Sequence, residues 1–454
     1  MSNQIGSTIE NGLSDWQILQ KTKDGYAKVC LNGQYFGDEN SQIDIRILNE
    51  ATGTHQNTWT NVQGKKDGTW EAELSVKSGG LYRLETRLLT TGEQTGEWSP
   101  RGDMRHFWGV GDVWVIAGQS NSAGYGRGSY QDPAELGIHL FKNNEQWSLA
   151  THPMNESTNT KHPVNREASN PGHSPYLQFG RILQRALNHP IGLIQTALGG
   201  SSLNRWNPKE EGPSDLYENM LRCIKLSGGN IRGILWYQGE SDVSVETASS
   251  YANRFTDAVT SWRNALKNPQ LPVLTVQLNR VLGRPEADLG WSMIREAQRK
   301  VAKADPKITI VPTLDLPLSD AIHTSPSGNM LLGERLAGAA LEITDGKKQG
   351  YNAPDVEKIS YITKQRIEIH FSHVHSYLNC NDSQLDMFLI EDEIGLIPAT
   401  NIYFPNNSSI EIELARRPKG NLKVSGGWGS SPPPVALDVE RRMPILGFHN
   451  ILVQ

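Results

Sequence analysis

The feature that most constrains the fold is a series of five short apolar runs in the middle of the chain. They are five to seven residues long and cover 113–117, 191–195, 231–236, 272–278 and 308–312. Continuous apolar runs of this length are typical of strands buried on both faces, as in a parallel sheet covered by helices. They predict an α/β domain over residues 108–345.

Two apolar stripes at helical spacing lie between these predicted strands. Apolar residues that recur every three or four positions line one face of a helix. We interpret the stripes as helix faces that pack on the sheet rather than as a cofactor surface. The stripe residues are Tyr251, Phe255, Val259 and Trp262, then Ile294, Ala297, Val301 and Ala302.

The segments on either side of this region alternate apolar and polar residues, as half-buried antiparallel strands do. We therefore predict a β-sandwich-like domain at each end, with domain limits at 1–107, 108–345 and 346–454. The predicted strands are 26–31, 43–48, 70–76 and 81–88 before the α/β domain, and 366–371, 384–390 and 410–414 after it.

Composition excludes several classes of protein. The 454 residues carry a formal net charge of -5 and no long run of Lys or Arg, which disfavours a nucleic-acid partner. The three cysteines are far apart and have no zinc or disulfide spacing. Neither an export signal nor an apolar membrane span is visible, so we expect a cytoplasmic protein without a membrane partner. The sequence does not indicate an oligomeric state.

Polar or glycine-rich segments follow four of the predicted strands. In open α/β sheets, ligands bind beyond the carboxyl ends of the strands, so these segments are the places to search for chemistry. They are Gly118-Gln119-Ser120-Asn121 and the segments 196–202, 237–242 and 319–324.

These segments contain the groups that a serine hydrolase needs. Ser120 is the candidate nucleophile, His323 the general acid and base, and Asp320 the carboxylate that orients the imidazole. The backbone N–H groups of Ser120 and Gly200 and the side-chain amide of Gln238 are candidate donors of an oxyanion hole. Activity should fall at acid pH, because protonated His323 cannot act as a base.

The same segments resemble, in order, the four sequence blocks of the SGNH hydrolases. More narrowly, they resemble the branch that contains sialate O-acetylesterases and plant and bacterial acetylxylan esterases. The matching residues are Gly118-Gln119-Ser120-Asn121, Gly199-Gly200, Trp236-Tyr237-Gln238-Gly239-Glu240-Ser241-Asp242 and Asp320-Ala321-Ile322-His323. The resemblance covers about 108–345 and implies a flavodoxin-like three-layer α/β/α fold, hydrolysis without metal or cofactor, and an acyl-enzyme intermediate.

The third block departs from the general pattern of the superfamily. That pattern has Gly-x-Asn-Asp, whose asparagine serves the oxyanion hole, whereas this chain has Gln238-Gly239-Glu240 in its place. The resemblance makes Gln238 the side-chain donor.

Candidate substrate contacts surround the proposed nucleophile. Trp206 could stack on a sugar, and Arg205 or Arg127 could pair with a carboxylate, although packing and rim salt bridges are equally open. Gln119, Asn121 and Glu240 are further candidates because they lie beside the catalytic positions in sequence.

The sequence also contains residues that could serve two other chemistries, glycoside hydrolysis and metal binding. Glu240 and Asp242 could form the carboxylate pair of a glycosidase, but two acids so close in one loop favour hydrogen-bond acceptors that shape the site. The second chemistry is metal binding by four histidines of the segment 139–173. They lack the spacing of helical metal ligands, and we interpret them as solvated loop residues without a metal. They are His139, His152, His162 and His173.

The sequence thus predicts a serine carbohydrate O-acetylesterase acting on an acetylated mono- or oligosaccharide, similar to sialate O-acetylesterases. An acetylxylan or other plant-glycan acetylesterase is the alternative within the same chemistry. A lipase or thioesterase is disfavoured by the polar surroundings of Ser120. A glycan-binding protein without activity is the alternative of a different class.

Overall fold

The computed structural model describes residues 6–37, 41–89, 99–169, 171–347, 350–380 and 385–454. They form a mixed α/β fold with one large mixed sheet and additional β structure at both ends of the chain. None of the described helices is long and apolar enough to cross a membrane.

The N-terminal part consists of strands that alternate buried and exposed residues. Strand β3 shows this alternation most regularly, and the four N-terminal strands predicted from the sequence are all present. The strands are β1 Gly6–Ser7, β2 Ile18–Gln20, β3 Tyr26–Phe36, β4 Gln42–Asn49, β5 His55–Gln63, β6 Thr69–Lys77, β7 Gly79–Leu89 and β8 Arg101–Gly118. Strands β1, β3 and β6 form a separate sheet, while β5, β4, β7 and β8 pair in that order. An apolar cluster that includes Trp70 and Trp108 joins the two sheets.

Strand β8 connects the N-terminal part to the centre of the molecule. Its first half pairs antiparallel with β7, and its second half is the central strand of the parallel region. The domain limit predicted at residue 107 lies inside this continuous strand. The turn that carries Ser120 at its end is therefore attached to the middle of the largest sheet.

The central region contains the five predicted strands and two short strands that the sequence analysis missed. Besides the second half of β8, it comprises β9 Ile138–Phe141, β10 Trp147–Leu149, β11 Ile191–Gln195, β12 Gly233–Tyr237, β13 Val273–Val276 and β14 Ile308–Val311. The order in the sheet is β10-β9-β11-β8-β12-β13-β14, and all these pairs are parallel except β10 with β9. The carboxyl ends of β8, β11 and β12 therefore meet at one edge.

Helices cover this sheet. They are α1 Ser120–Ala123, α2 Tyr176–Leu187, α3 Asp215–Leu226, α4 Val245–Ala265, α5 Asp288–Ala304 and α6 Pro326–Asp345. Helix α2 packs on α6 and helix α4 on α5. The stripe on α4 is buried as predicted, and so is the stripe on α5 except for the partly buried Ala302.

The C-terminal part is antiparallel throughout its described residues. It comprises β15 Asp355–Thr363, β16 Arg366–Ser372, β17 Leu378–Asn379, β18 Phe388–Asp392, β19 Gly395–Leu396, β20 Ala399–Asn406, β21 Ser409–Leu414, β22 Lys423–Gly426, β23 Leu437–Asp438, β24 Met443–Pro444 and β25 Phe448–Leu452. Two four-stranded sheets share one apolar cluster. Residue 384, where one predicted strand began, lies outside the described residues.

One buried arginine fastens the C-terminal part to the central sheet. The guanidinium of Arg295, only 1% exposed, donates to the carbonyls of Leu278, Asn279, Gly427 and Gly429. Burial lowers its pKa to about 9. Because four carbonyls satisfy the guanidinium, this contact holds the loop 427–429 against the end of β13, and no carboxylate of the described residues pairs with it.

Candidate active site

The turn after β8 presents Ser120 at the carboxyl edge of the sheet. Gly118 has φ 121°, and a Cβ atom there would lie 2.2 Å from the carbonyl oxygen of Tyr237, so a side chain cannot be accommodated. The N–H of Gln119 donates to the same carbonyl at 2.9 Å. These contacts hold the start of α1 against the end of β12 and leave Ser120 partly exposed.

Asp320 and His323 form the hydrogen-bonded pair that their spacing predicted. Nδ1 of His323 lies 2.7 Å from Oδ2 of Asp320. Oδ1 of Asp320 accepts the backbone N–H groups of Ile322 and His323 at 2.9 and 2.8 Å. Burial alone would raise the pKa of Asp320, but these hydrogen bonds outweigh it and lower the pKa below its usual range. The carboxylate therefore stays charged, and the other ring nitrogen of His323 is left to act as a base.

Asn121 joins the nucleophile turn to the histidine loop. Its Nδ2 donates to the carbonyl of Ile322 at 3.3 Å, and its Oδ1 accepts the N–H of Thr324 at 3.0 Å. Asn121 is 4% exposed. Its predicted role as a substrate contact does not fit these bonds, because its side chain is occupied by residues on either side of His323.

Ser120 and His323 are brought to the same edge without a direct hydrogen bond. Among the residues that the structure describes, Ser120 Oγ has no hydrogen-bond partner. Hydrogen bonds between nucleophile and base are often long in the absence of substrate and shorten in the complex. The lack of this hydrogen bond in the protein without substrate is therefore compatible with a serine hydrolase.

The loop after β11 holds Gly200 beside this edge. Oε1 of Glu167 accepts the N–H of Gly199 at 2.8 Å and so anchors the loop. Gly200 has φ 68°, and a Cβ atom built on it meets no atom within 4 Å. The Cβ side of Gly200 therefore faces open space, and no described residue accepts its N–H.

Gln238 has a different environment from the one predicted. Its side chain is fully buried, and its Nε2 donates to Asp242 Oδ2 at 2.6 Å and to Ser201 O at 3.2 Å. Its Oε1 accepts the hydroxyl of Tyr251 at 2.8 Å. The amide is therefore saturated by protein groups, which does not fit the prediction that it donates to an oxyanion.

Glu240 is a buried carboxyl that bonds to Asn121. Its Oε1 accepts Nδ2 of Asn121 at 2.8 Å, whereas its Oε2 has no partner among the described residues. Burial raises the pKa of Glu240 to about 7. The charge of Asp242 adds to this effect, and the hydrogen bond from Asn121 opposes it. The contacts support the interpretation of Glu240 and Asp242 as acceptors that shape the site.

The raised pKa of Glu240 predicts a pH-dependent stability. In the unfolded chain this carboxyl has its ordinary pKa of 4.5, whereas in the folded protein its pKa is about 7. The folded state therefore holds the proton more tightly. This contribution to stability is complete below pH 4.5 and is lost as the pH rises to about 7. Glu240→Gln cannot ionise and keeps the acceptor for Asn121. We expect the difference in unfolding free energy between this variant and the wild type to shift by about 3 kcal/mol in favour of the variant between pH 4.5 and pH 8. Urea unfolding across this range measures the difference, and a constant difference would refute the assignment.

Trp206 is part of the core, which corrects the prediction that it stacks on a sugar. The ring is 0% exposed and packs edge-to-face on Trp236 with centroids 5.3 Å apart. Its Nε1 donates to Ser201 Oγ at 3.1 Å. Neither face is free for a ligand, because strand β12 and helix α4 supply its neighbours.

Substitution of Trp206 should therefore affect stability rather than sugar binding. We expect Trp206→Ala to cost about 3–5 kcal/mol of unfolding free energy, the usual loss for a buried aromatic residue. The milder Trp206→Phe should fold and keep the KM for an acetylated oligosaccharide. A large rise in KM at unchanged stability would show that the ring contacts substrate after all.

The two arginines near the site differ in their partners. Arg205 forms a bidentate pair with Asp215, at 2.9 and 2.7 Å, and is therefore not free for a substrate carboxylate. Arg127 is exposed and has no acidic partner among the described residues. Its guanidinium lies 5.8 Å from the ring of Tyr125, which stacks on His323 with centroids 5.1 Å apart.

The histidines interpreted as solvated are instead buried or paired. His139 and His173 are 0% exposed, and burial lowers the pKa of His139 to about 4. His162 bonds to Glu145. The Nε2 atom of His152 lies 3.0 Å from Oδ2 of Asp132, and the Nε2 atom of His173 lies 3.1 Å from the same oxygen. His139 lies in strand β9, and the other three histidines bond to the carboxylates of Asp132 or Glu145, which their spacing could not indicate.

Asp132, His152 and His173 form a cluster with the composition of a metal site. Their potential ligand atoms lie within 4.8 Å of one another. A metal-bound imidazole normally donates its other N–H to an acceptor. Here Nδ1 of His152 instead accepts the N–H of Ser174 at 3.4 Å, and Nδ1 of His173 has no described partner. Arg181 also donates to Asp132 at 2.8 Å. These contacts fit a buried hydrogen-bond network better than a cation site.

Two residues that support the site were missed by the sequence analysis. Tyr125 stacks on His323, and its hydroxyl donates to Glu167 Oε2 at 2.8 Å. Burial raises the pKa values of both groups. Glu167 thereby links the Gly199 loop to the ring behind the histidine. It lies in an irregular segment without periodicity, so no pattern in the sequence could have indicated it.

The geometry agrees with comparisons to known proteins. Residues 110–342, slightly more than half of the chain, match the model of the carbohydrate esterase, sialic acid-specific acetylesterase family. The chain belongs to this family. The predicted resemblance and the assignment as an esterase are thus confirmed.

Individual relatives of this esterase are distant. A probable carbohydrate esterase of Arabidopsis thaliana is 29% identical over 253 residues, which are 50% of this chain and 90% of the plant protein. Human sialate O-acetylesterase is 25% identical over 347 residues, and the alignment covers 64% of the chain and 61% of the human protein. The crystal structure of XAC1771, a carbohydrate acetylesterase from Xanthomonas citri, aligns over 98% of the chain and 99% of its own, with a TM-score of 0.69 and 21% identity. The last comparison shows a shared fold along the whole chain.

Proposed function

We propose that the esterase removes O-acetyl groups from sugar hydroxyls through an acetyl-enzyme intermediate on Ser120. The observation that carries the proposal is the hydrogen-bonded Asp320–His323 pair, which Asn121 ties to the Ser120 turn. These groups supply a nucleophile, a base and an orienting carboxylate at one sheet edge.

The reaction has two steps on this geometry. Ser120 Oγ attacks the acetyl carbonyl carbon while Nε2 of His323 takes the hydroxyl proton, and Asp320 stabilises the resulting imidazolium. The tetrahedral oxyanion accepts the N–H groups of Ser120 and Gly200. His323 returns the proton to the leaving sugar oxygen, and water then releases acetate by the same route in reverse.

We also propose that the central region is a flavodoxin-like three-layer α/β/α domain. The parallel order β11-β8-β12-β13-β14 supports this architecture, because it places the first strand of the domain inside the sheet. The packing of α2 on α6 and of α4 on α5 is consistent with two helical layers.

An acetylated sialic acid is the substrate that we favour. Sialic acids carry a carboxylate, and Arg127 is an exposed cation beside the ring that stacks on His323. The relatives named sialate O-acetylesterases support the same choice. Acetylated xylan, which is neutral, remains the alternative within the same chemistry.

Acetate release from a panel of acetylated sugars tests the substrate. Acetylated sialic acids, xylo-oligosaccharides and manno-oligosaccharides are compared by kcat/KM. We expect the sialic acids to be preferred, and Arg127→Gln to lower kcat/KM on them about tenfold or more while leaving the neutral sugars unchanged. Preference for a neutral oligosaccharide would contradict the sialate assignment, and cleavage of nitrophenyl acetate alone would contradict both sugar classes.

A further inference from the structure

An irregular loop begins at Arg127 and is fastened by a buried cluster of polar side chains. This loop covers residues 127–135 and is called the Asp132 loop below. No backbone N–H of residues 128–134 has an acceptor among the described residues. Most of the loop is exposed, but the side chain of Asp132 is only 1% exposed. Side-chain contacts therefore hold this loop in place of a backbone ladder.

The carboxylate of Asp132 is the centre of the cluster. Its Oδ2 accepts Nε2 of His152 and Nε2 of His173, and its Oδ1 accepts the guanidinium of Arg181. The two imidazole rings stack with centroids 4.2 Å apart. Tyr130, from the same loop as Asp132, lies edge-on against both rings. The loop thus contributes an anion and an aromatic ring to a buried pair of histidines.

The surroundings of the two imidazole rings favour their neutral forms. A carboxylate only accepts hydrogen bonds, so each neutral ring carries its proton on Nε2. Nδ1 of His152 then accepts the N–H of Ser174 at 3.4 Å, and Nδ1 of His173 is buried without a partner among the described residues. A second proton on either ring would therefore point at a donor or at a site without an acceptor, which is unfavourable.

The charged groups around the cluster determine the pH at which it takes up a proton. Burial lowers the pKa of His152, and the other imidazole and the charge of Arg181 add to this effect, whereas Asp132 opposes it. Glu135 is paired with Arg181 at 2.9 Å. When the loop is open and His152 is solvated, its pKa is the ordinary 6.5. The closed loop is therefore most stable above about pH 6.5 and weakens as the pH falls from there to the lowered pKa.

The backbone of His173 connects the cluster to the active site. It exchanges two hydrogen bonds with Gly126, at 3.1 and 2.9 Å. The neighbours of Gly126 are Tyr125, whose ring stacks on His323, and the exposed Arg127. A displacement of His173 would therefore move residues on both sides of Gly126.

We propose that Asp132, His152 and His173 form a pH-sensitive latch that holds the Asp132 loop, and with it Arg127, at the active site. At neutral pH both imidazoles are uncharged and the latch is closed. At acid pH a proton from solvent binds Nδ1 of a histidine, the bonds to Asp132 break and the loop is released. The effect on Arg127 rests on the proposed function, whereas the latch itself does not.

Hydrogen exchange tests the latch independently of catalysis. The amides of Gly126 and His173 are followed by mass spectrometry at about pH 7.5 and about pH 5. After correction for intrinsic rates, we expect their protection to fall about tenfold or more at the lower pH, since each pKa unit corresponds to a factor of ten. In the double variant His152→Gln/His173→Gln, both side chains can still donate to Asp132 but cannot be protonated, so protection should change less than about threefold. An equal loss in the double variant, or no loss in the wild type, would overturn the inference. His55→Gln, an exposed histidine without a described side-chain partner, is the matched control and should behave as the wild type.

Asp132→Asn tests the latch if the double variant does not fold. Its amide cannot accept on the side of the histidines and also on the side of Arg181, so protection should be low at both pH values. Wild-type protection in this variant at neutral pH would overturn the inference.

The KM values test the consequence for Arg127. From about pH 7.5 to about pH 5, we expect the wild-type KM for an acetylated sialic acid to rise about tenfold, because its carboxylate loses Arg127. The KM for 4-nitrophenyl acetate, which has no carboxylate, should stay within about threefold. Protonation of His323 lowers kcat for both substrates and does not separate them. A parallel change in both KM values would overturn the link to Arg127. A wild-type protein that releases no acetate would overturn the proposed function, while the exchange experiment would still decide on the latch.

Discussion

Ser120→Ala should abolish ester hydrolysis, with kcat reduced roughly 10⁴- to 10⁶-fold on any acetylated sugar that the wild type accepts. The hydroxyl is the atom that would carry the acetyl group, and no other described side chain at the sheet edge replaces it. The fold should be unaffected, because Ser120 Oγ makes no hydrogen bond among the described residues. Acetate release in a coupled assay measures the loss.

Ser122→Ala is the control for this substitution. Ser122 lies in the same short helix, but it is buried and its hydroxyl donates to the carbonyl of Ala117 at 2.8 Å. Its removal also takes a partner from the buried hydroxyl of Tyr176, 2.6 Å away, so it should cost roughly 1–3 kcal/mol of stability and leave kcat within about threefold of the wild type. Unchanged hydrolysis in Ser120→Ala would exclude the serine mechanism, whereas a wild-type protein that binds glycans but releases no acetate would favour the glycan-binding alternative.

Asp320→Asn should lower kcat about 10⁴-fold at neutral pH, the loss seen when the orienting carboxylate of a serine triad becomes an amide. The substitution is isosteric, and its carbonyl oxygen can still accept the N–H groups of Ile322 and His323. It removes the charge that holds the proton on Nδ1 of His323, so the imidazole can adopt the wrong tautomer. Because its pKa is lowered, Asp320 in the wild type stays ionised at neutral pH and supplies that charge.

Asp24→Asn is a suitable control for the loss of one negative charge, since Asp24 is exposed and distant in sequence from the site. It should have no effect on kcat. Thermal unfolding of both variants separates catalysis from stability. A folded Asp320→Asn enzyme with nearly full activity would show that the histidine is oriented by other groups.

The central strands could be predicted because they are short, continuous and apolar. The run at 191–195 matches β11, and the run at 308–312 exceeds β14 by one residue. Strand β8 was predicted only in part, since its first half belongs to an antiparallel sheet and carries the mixed pattern of the N-terminal strands. Strands β9 and β10 are four and three residues long, too short for a periodic signal.

The catalytic groups were easier to predict than their surroundings. Asp320 and His323 are three residues apart, so one loop can join them without help from the rest of the fold. Trp206 and Gln238 are buried by residues far away in sequence, such as Trp236 and Tyr251. Sequence spacing does not reveal which face of a loop becomes interior, and Trp206 was therefore assigned to the substrate and Gln238 to the oxyanion hole.

The most direct test of the account is detection of the acetyl-enzyme. Enzyme mixed with an acetylated sialic acid is quenched in acid within the first turnovers, digested and analysed by mass spectrometry. We predict one acetyl group on the peptide that contains Ser120, absent from Ser120→Ala. Sustained acetate release with no acetyl group on Ser120 in any quenched sample, and with Ser120→Ala still active, would contradict the account.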